Sequence, residues 1–415
     1  MQILISGASI AGPAVAYWLS RAGHEVTVVE QADAVRGGGQ AVDFKGATHR
    51  TVLERMGLWE AVHELRTAPA DAEFVDAAGR VRAVMPHEFS GGDVEVLRGD
   101  LGRLLYERTR DAVEYVFGDR IASMHERADG VDVVLRSGRT GRYDLVVGAD
   151  GVHSGVRRLA FGPEEDVVEY LGYCYAVVGA NEHSADKRSA NRRSADERGA
   201  DGTSGADAGE RTAAQWYNEP GCLAAIGGTK APDLFVFATP RPDVDRRDVA
   251  AQKRVVAEAY AGAGWRVPEM LERLADAEEF YLDGINRVRM HDYSRGRVVL
   301  VGDAGYANTL GGFGTGLAIV GAYVLAGELA AAGGDHRVAF ARYDARMRRY
   351  SKVARSGNAG PFLAPAGRAR IALRNATFRN RLLFAAMMKL TDLFATDPEL
   401  PEYPQLAGPR AAARS

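Results

Sequence analysis

The 415-residue chain is 46% hydrophobic and 26% charged, with a formal net charge of −3. That is enough apolar material for two or three lobes around a substantial core. The near-balanced charge gives no long-range field to gather nucleic acid or an anionic membrane surface, so neither partner is expected. Cys174 and Cys222 are too few for a disulfide framework and stand in no metal-ligand spacing, so they read as buried thiols in a reducing, cytoplasmic setting, and no metal is expected.

The N-terminus enters a strand pattern at once, without the basic stretch of a signal peptide. No uninterrupted apolar run approaches the ~18 residues of a membrane span. Residues 2–30 read as strand, glycine turn, helix and strand: 3–6, the turn from Gly7 to Gly12, a helix over 14–22 stopped by Gly23, and a second strand over 25–30. The turn, Gly7, Ala8, Ser9, Ile10, Ala11 and Gly12, follows a strand and opens a helix, so its N–H groups and the helix dipole face an anion, expected to be a pyrophosphate. Ser9 stands at the second glycine of the G-x-G-x-x-G pattern. Glu30, followed by Gln31, ends the second strand where an acid accepts from ribose hydroxyls. This fingerprint does not separate NAD from FAD.

Three later segments narrow the reading. Arg36, Gly37, Gly38, Gly39, Gln40, Ala41, Val42 and Asp43 let the chain pass close under a flat ring, with a guanidinium in reach of a pyrophosphate or ring carbonyl. A buried strand over 145–148 ends in Asp150 and Gly151, with Ser154 and Arg157 just beyond. A third strand, 298–301, ends in Gly302 and Asp303. A loop bearing Gly311, Gly312, Gly314 and Gly316 then leads to a long helix read as opening at Leu317. Acid, glycine loop and helix start together make a second cofactor contact, the acid on ribose hydroxyls and the helix N-terminus on a phosphate or the flavin pyrimidine carbonyl.

With these motifs in this order, the chain resembles the class A flavoprotein aromatic hydroxylases, the para-hydroxybenzoate hydroxylase family, and within it the short branch of tetracycline-inactivating monooxygenases. The likeness spans nearly the whole chain outside 182–210. It implies that Glu30 holds the FAD ribose, that Arg36 and the glycines after it line the cofactor, and that Arg98 lies near the ribityl chain and pyrophosphate. It also places Asp303 on the ribityl or phosphate side and associates Asp150 with both FAD and the nicotinamide cofactor. The resemblance further implies an activity in which NADPH or NADH would reduce FAD, O2 would add to the reduced ring, and one oxygen atom would pass to an electron-rich carbon of an aromatic or polyketide-like substrate. Where the family shows His after Gly-Asp-Ala-Ala and a proline before the glycine loop, this chain has Gly305, Tyr306 and Leu310, which makes Tyr306 or Asn308 the candidate to face the substrate. Two other readings stay open: a flavin oxidase or dehydrogenase without oxygen insertion, and a non-redox flavin-fold cyclase or binding protein.

The expected fold is α/β, a Rossmann-like FAD-binding domain (1–70, 96–165 and 281–350) with a mixed-sheet substrate domain (71–95 and 166–280) and a C-terminal helical segment (351–415). Residues 182–210 are almost all Ser, Ala, Asp, Arg, Asn and Gly, a composition that reads as a disordered surface excursion without catalytic duty. Period-two spacing puts Tyr173 with Tyr175, and Phe235 with Phe237, each pair on one face, either lining a flat-substrate pocket or packing the sheet. A helical pattern over 353–391 carries Arg368, Arg370, Arg374, Arg379 and Arg381 and reads as a helix packed on its own protein with a solvated arginine face. No histidine stands out as a base, and the oligomeric state is read as monomer or weak homodimer.

Overall fold

Ile3, Leu4 and Ile5 are wholly buried, as a strand covered on both faces requires. In the computed structural model the strand Gln2–Ser6 is central to a six-stranded sheet, ordered 294–295, 298–300, 145–148, 2–6, 25–30 and 114–117. All pairs are parallel except the 294–295 edge. The structure describes residues 1–37, 40–44, 46–67, 70–90, 94–179, 214–227, 232–352, 354, 356–380, 382–385 and 399–406. The 182–210 excursion, Gly38, Gly39 and Arg381 lie outside the described residues.

Alternation along these strands sorts the two faces. Ile3, Ile5, Val26, Val28, Leu145 and Val147 face the helices Ala11–Arg21 and Gly314–Ala331. Leu4, Val29, Val146 and Leu300 face a small antiparallel sheet of 121–126, 131–135 and 140–143. Helix Gly314–Ala331 opens at Gly314, not at Leu317. Over its 18 residues it is long and apolar enough to cross a bilayer by length and composition, its apolar run being interrupted by Thr315, Gly316, Gly321, Gly327 and Glu328. Its hydropathy has a packing cause, since it is buried between helices Ala11–Arg21 and His336–Tyr350.

A second, seven-stranded sheet runs in the order 280–288, 168–178, 233–238, 222–226, 214–219, 72–75 and 81–85. The boundary expected at 281 falls inside its strand Phe280–Val288, which pairs with Val168–Val178. Phe235 and Phe237 face helices Val249–Ala259 and Val267–Asp276, edge-on to Tyr260, so they are sheet packing. Tyr173, Tyr175 and Trp216 lie on the opposite face with Leu310 and Leu363.

The single C-terminal helix expected over 353–391 is instead broken among the described residues: Gly360–Leu363 and Arg368–Arg379 are separated by Pro365 and Gly367, and a further helical stretch covers 382–385. Proline lacks the N–H that would continue the first helix. Nor is the arginine face wholly solvated. Arg374 is buried 4.0 Å over the Phe74 ring and donates to Asn218 Oδ1 at 2.7 Å and the Phe362 carbonyl at 2.9 Å, while Leu373 beside it is 71% exposed.

Candidate active site

The N-terminal turn is closed by contacts only glycine permits. Gly7 has φ +106° and donates its N–H to the Val29 carbonyl at 2.8 Å. A Cβ on it would meet the Ala149 carbonyl oxygen at 2.4 Å, and a Cβ on Gly12 would stand 1.8 Å from the Gly7 carbonyl oxygen. Ser9 does more than fit the second glycine position, because its Oγ accepts from Arg98 Nη2 at 3.1 Å. Glu30 Oε2 accepts from the Ala8 N–H at 2.8 Å and Oε1 from the Ala32 N–H at 2.9 Å. The carboxylate thus shapes the turn, and each oxygen keeps a lone pair for a ribose hydroxyl.

The two later motifs are bolted together. Asp150 accepts from Ser154 Oγ, from the Gly155 N–H at 2.8 Å and from the Val156 N–H at 3.1 Å, capping helix Gly155–Phe161. Burial pushes its carboxyl above the usual range and these donors pull it back. Arg157, 1% exposed, donates to the Ala304 carbonyl at 2.8 Å and the Val152 carbonyl at 2.6 Å, tying the Asp-Gly turn to the Gly-Asp turn. Gly302 has φ +68°, and a Cβ there would meet Ala11 Cβ at 3.0 Å and Ala318 Cβ at 3.4 Å. It is the point where two helix N-termini converge. Asp303 opens onto the cleft yet is walled in by protein, and this burial raises its carboxyl while Arg98 opposes the rise.

Between these parts runs a cleft of about 880 Å³. It is lined by Gly7, Ala8, Ser9, Ile10, Ala11, Glu30, Gln31, Arg36, Gly37, Gln40, Arg98, Asp150, Gly151, Asp303 and Gly314 of the residues singled out from sequence. The others stand outside its lining. Gly12 packs on Gly7, and Gly302 on Ala11 and Ala318. Val42 and Asp43 lie on strand Ala41–Phe44, paired with Val94–Leu97. Gly312 sits at φ +80° in the loop, Gly316 admits the His49 ring, which a Cβ would meet at 2.3 Å, and Leu317 is core.

One of the two candidates offered by the departures from the family pattern is corrected. Tyr306 is 3% exposed, its hydroxyl near Tyr343 Oη and the Leu317 carbonyl, so it faces the core. Asn308 is held by its Nδ2 on the Ser356 carbonyl at 3.0 Å and is not part of the cleft lining. Leu310 adopts φ +57°, a conformation costly for a residue with a Cβ. Sequence reasoning missed Arg120, Arg136, His153, Arg158 and Tyr281, all of which line the cleft. They arrive from the small antiparallel sheet, the segment after the Asp-Gly turn and the second sheet, with no local pattern to mark them.

The decisive observation is the extent of the match: the FAD-binding domain family model covers residues 1–353. The chain belongs to the FAD-binding domain family, among its class A flavoprotein monooxygenases. It is 40% identical to an uncharacterised Mycobacterium tuberculosis protein, over 83% of this chain and 89% of that one. It is 35% identical to a flavin-dependent monooxygenase of Legionella longbeachae, over 84% and 86%. Among solved structures it is similar to the tetracycline destructase Tet(55), with a TM-score of 0.75, 34% identity and coverage of 97% and 98%. This flavoprotein monooxygenase is therefore an FAD-dependent oxidoreductase. The cleft fits FAD: two helix N-termini meet at Gly302, and the turn that faces them closes only with glycine at 7 and 12.

Proposed function

We propose that the enzyme uses NADPH or NADH and O2 to insert one oxygen atom into an aromatic or polyketide-like small molecule. One observation carries this reading: the glycine turn, Glu30, Arg98, Asp303 and the Gly314 helix start meet on one cleft whose further wall, at Val177, Phe280 and Tyr281, belongs to the second sheet. Similarity to tetracycline destructases supports a polyketide-like substrate. Bound FAD supplies the redox chemistry. The chain binds and orients: Glu30 takes the ribose, Arg98 and Asp303 the ribityl and pyrophosphate side, Arg36 and Gln40 the ring, and the helix starts at Ala11 and Gly314 the phosphates and ring carbonyl. Asp150, already engaged by Ser154, Gly155 and Val156, acts by holding the turn beneath both cofactors.

On this reading the cofactor domain comprises 1–70, 96–165 and the chain from the end of strand Phe280–Val288 to 350, and the second sheet with its helices is the substrate domain. The protein works in the cytoplasm as a monomer or weak homodimer. An absorbance spectrum of the purified protein, then NADPH oxidation with a panel of phenols and polyketides, tests it. A flavin spectrum with substrate-stimulated NADPH loss is expected. A protein that will not take up FAD overturns the reading, and NADPH-independent substrate oxidation makes it an oxidase.

A further inference from the structure

Tyr281 stands at one end of a hydrogen-bonded line that neither the cofactor cradle nor the turns employ. Its hydroxyl donates to Asp283 Oδ2 at 2.9 Å. Asp283 faces His153 Nε2 at 2.9 and 3.0 Å, and His153 Nδ1 lies 2.9 Å from Glu164 Oε1. Arg246 and Arg241 approach Glu164 at 3.4 and 3.5 Å from outside, and Arg157 at 3.8 Å from within. The line is open at both ends and more enclosed between them, although His153 also borders the cleft. Tyr281 is 40% exposed, on the cleft side, while the side chains of Asp283, Glu164 and His153 are 9, 11 and 19% exposed, and those of Arg241 and Arg246 are 46 and 54%. It also joins the two halves of the molecule. Tyr281 and Asp283 lie on strand Phe280–Val288 of the second sheet, and His153 and Glu164 flank the helix after the Asp-Gly turn.

The electrostatics give the line a proton to move. Burial alone lowers His153, but hydrogen bonds to Asp283 and Glu164 outweigh it, so the ring titrates above its ordinary value. Burial likewise pushes Glu164 up, yet His153 and Arg246 bring it down to about 2; Asp283 is held below the usual range by His153 and Tyr281 against its own burial. An imidazole biased toward its charged form therefore sits between two carboxylates. Tyr175 faces Tyr281 from the paired strand at a ring distance of 5.8 Å, and the Arg98 charge acts on both phenols.

We propose that Tyr281, Asp283, His153 and Glu164 form a proton path from the outer surface to the cleft, feeding the oxygen-dependent reaction. The inference rests on the proposed function, whose balance is one substrate, one O2, one NAD(P)H and one proton giving one oxygenated product, one NAD(P)+ and one water. In the path, an acceptor in the cleft takes the Tyr281 phenolic proton. Asp283 restores it with the proton it receives from His153 Nε2, and the ring keeps its Nδ1–H on Glu164. The ring then turns over to present its bare nitrogen to Glu164, and a proton entering from solvent past Arg241 and Arg246 by way of the Glu164 carboxylate restores the imidazolium, so no residue changes its net protonation over a cycle. Tyr281 is the more exposed of the two members that border the cleft, and Asp283, His153 and Glu164 position and recharge it.

The test needs no identified substrate. FAD-loaded wild type, Tyr281→Phe and Asp283→Asn are photoreduced without oxygen, then mixed with oxygenated buffer from pH 6 to 9 in H2O and D2O. Re-oxidation of the reduced flavin takes up one proton for each hydrogen peroxide released. Both variants should re-oxidise roughly tenfold more slowly, with an altered pH profile and a changed solvent isotope effect. As a readout apart from turnover, the ring ¹⁵N shifts of His153 should report imidazolium at pH 7 in wild type and a neutral ring in Asp283→Asn. If Asp283→Asn does not fold, Tyr281→Phe, which removes one hydroxyl facing the cleft, decides the matter. Wild-type rate, pH profile and isotope effect in a Tyr281→Phe protein that holds FAD normally overturn the path alone, as does a neutral His153 ring in the wild type. Failure of the wild type to take up FAD overturns the proposed function and the path together.

Discussion

Gly12 and Gly7 are in contact so close that a Cβ on Gly12 would stand 1.8 Å from the Gly7 carbonyl oxygen. The obstacle is backbone on a buried turn, which has no flexible end to yield. Gly12→Ala should therefore cost about 3 kcal/mol or more and displace the helix start from the cleft. A lower melting temperature together with loss of flavin absorbance checks it; a normally folded yellow variant would contradict the geometry.

Cofactor retention tests the cradle itself. Arg36 and Asp303 both line the cleft, and among the described residues neither is held by hydrogen bonds in the way Asp150 is. Arg36→Ala and Asp303→Ala should each weaken FAD binding about tenfold, the effect of losing one charge-assisted contact. Full yellow colour after gel filtration of either variant would count against its assignment.

Arg374 and Leu373 are neighbours with the reverse of the burial their chemistry suggests. Arg374→Ala removes the cation over Phe74 and the bond to Asn218, and should cost about 3 kcal/mol by loosening helix Arg368–Arg379 from the second sheet. Leu373→Gln, on a side chain 71% exposed, should change stability by less than about 0.5 kcal/mol. Urea unfolding of the two variants should separate them clearly.

That pair also marks how far the sequence could be read. The strand, glycine turn and helix from Gln2 to Arg21 were legible because each signal is local: alternation, a forced φ, a periodic apolar face. Glu30 and Asp303 were picked out by their positions beside such signals, and Arg98 only by the family resemblance. Helical periodicity could not tell that Arg374 would turn inward, because the reason is Phe74 and Asn218 on a distant sheet. Tyr306 was misplaced for a similar cause, since only the approach of Tyr343 shows that it points into the core. His153 and Asp283 are 130 residues apart and meet only after both sheets have formed. No isolated histidine pattern could have announced them.

The His153 pairing makes a signed prediction for stability. A histidine raised above 6.5 contributes stability that is complete below that pH and is lost as pH rises through its higher folded value. Glu164, lowered from 4.5 to about 2, and Asp283, also lowered, contribute stability that is present above their unfolded values and lost as pH falls toward their folded ones. The pairing is thus strongest between about pH 4.5 and 6.5. The melting temperature of wild type should exceed that of Asp283→Asn by more at pH 5.5 than at pH 9. An equal gap at both would mean that the ring carries no extra proton.

The most direct measurement of the central claim is the mass of the product formed under ¹⁸O2. The FAD-loaded enzyme, supplied with NADPH and a phenolic or polyketide compound that stimulates NADPH loss, should yield a product carrying one ¹⁸O atom. A product that has lost hydrogen and gained no label from ¹⁸O2 would contradict oxygen insertion and make the protein a flavin oxidase.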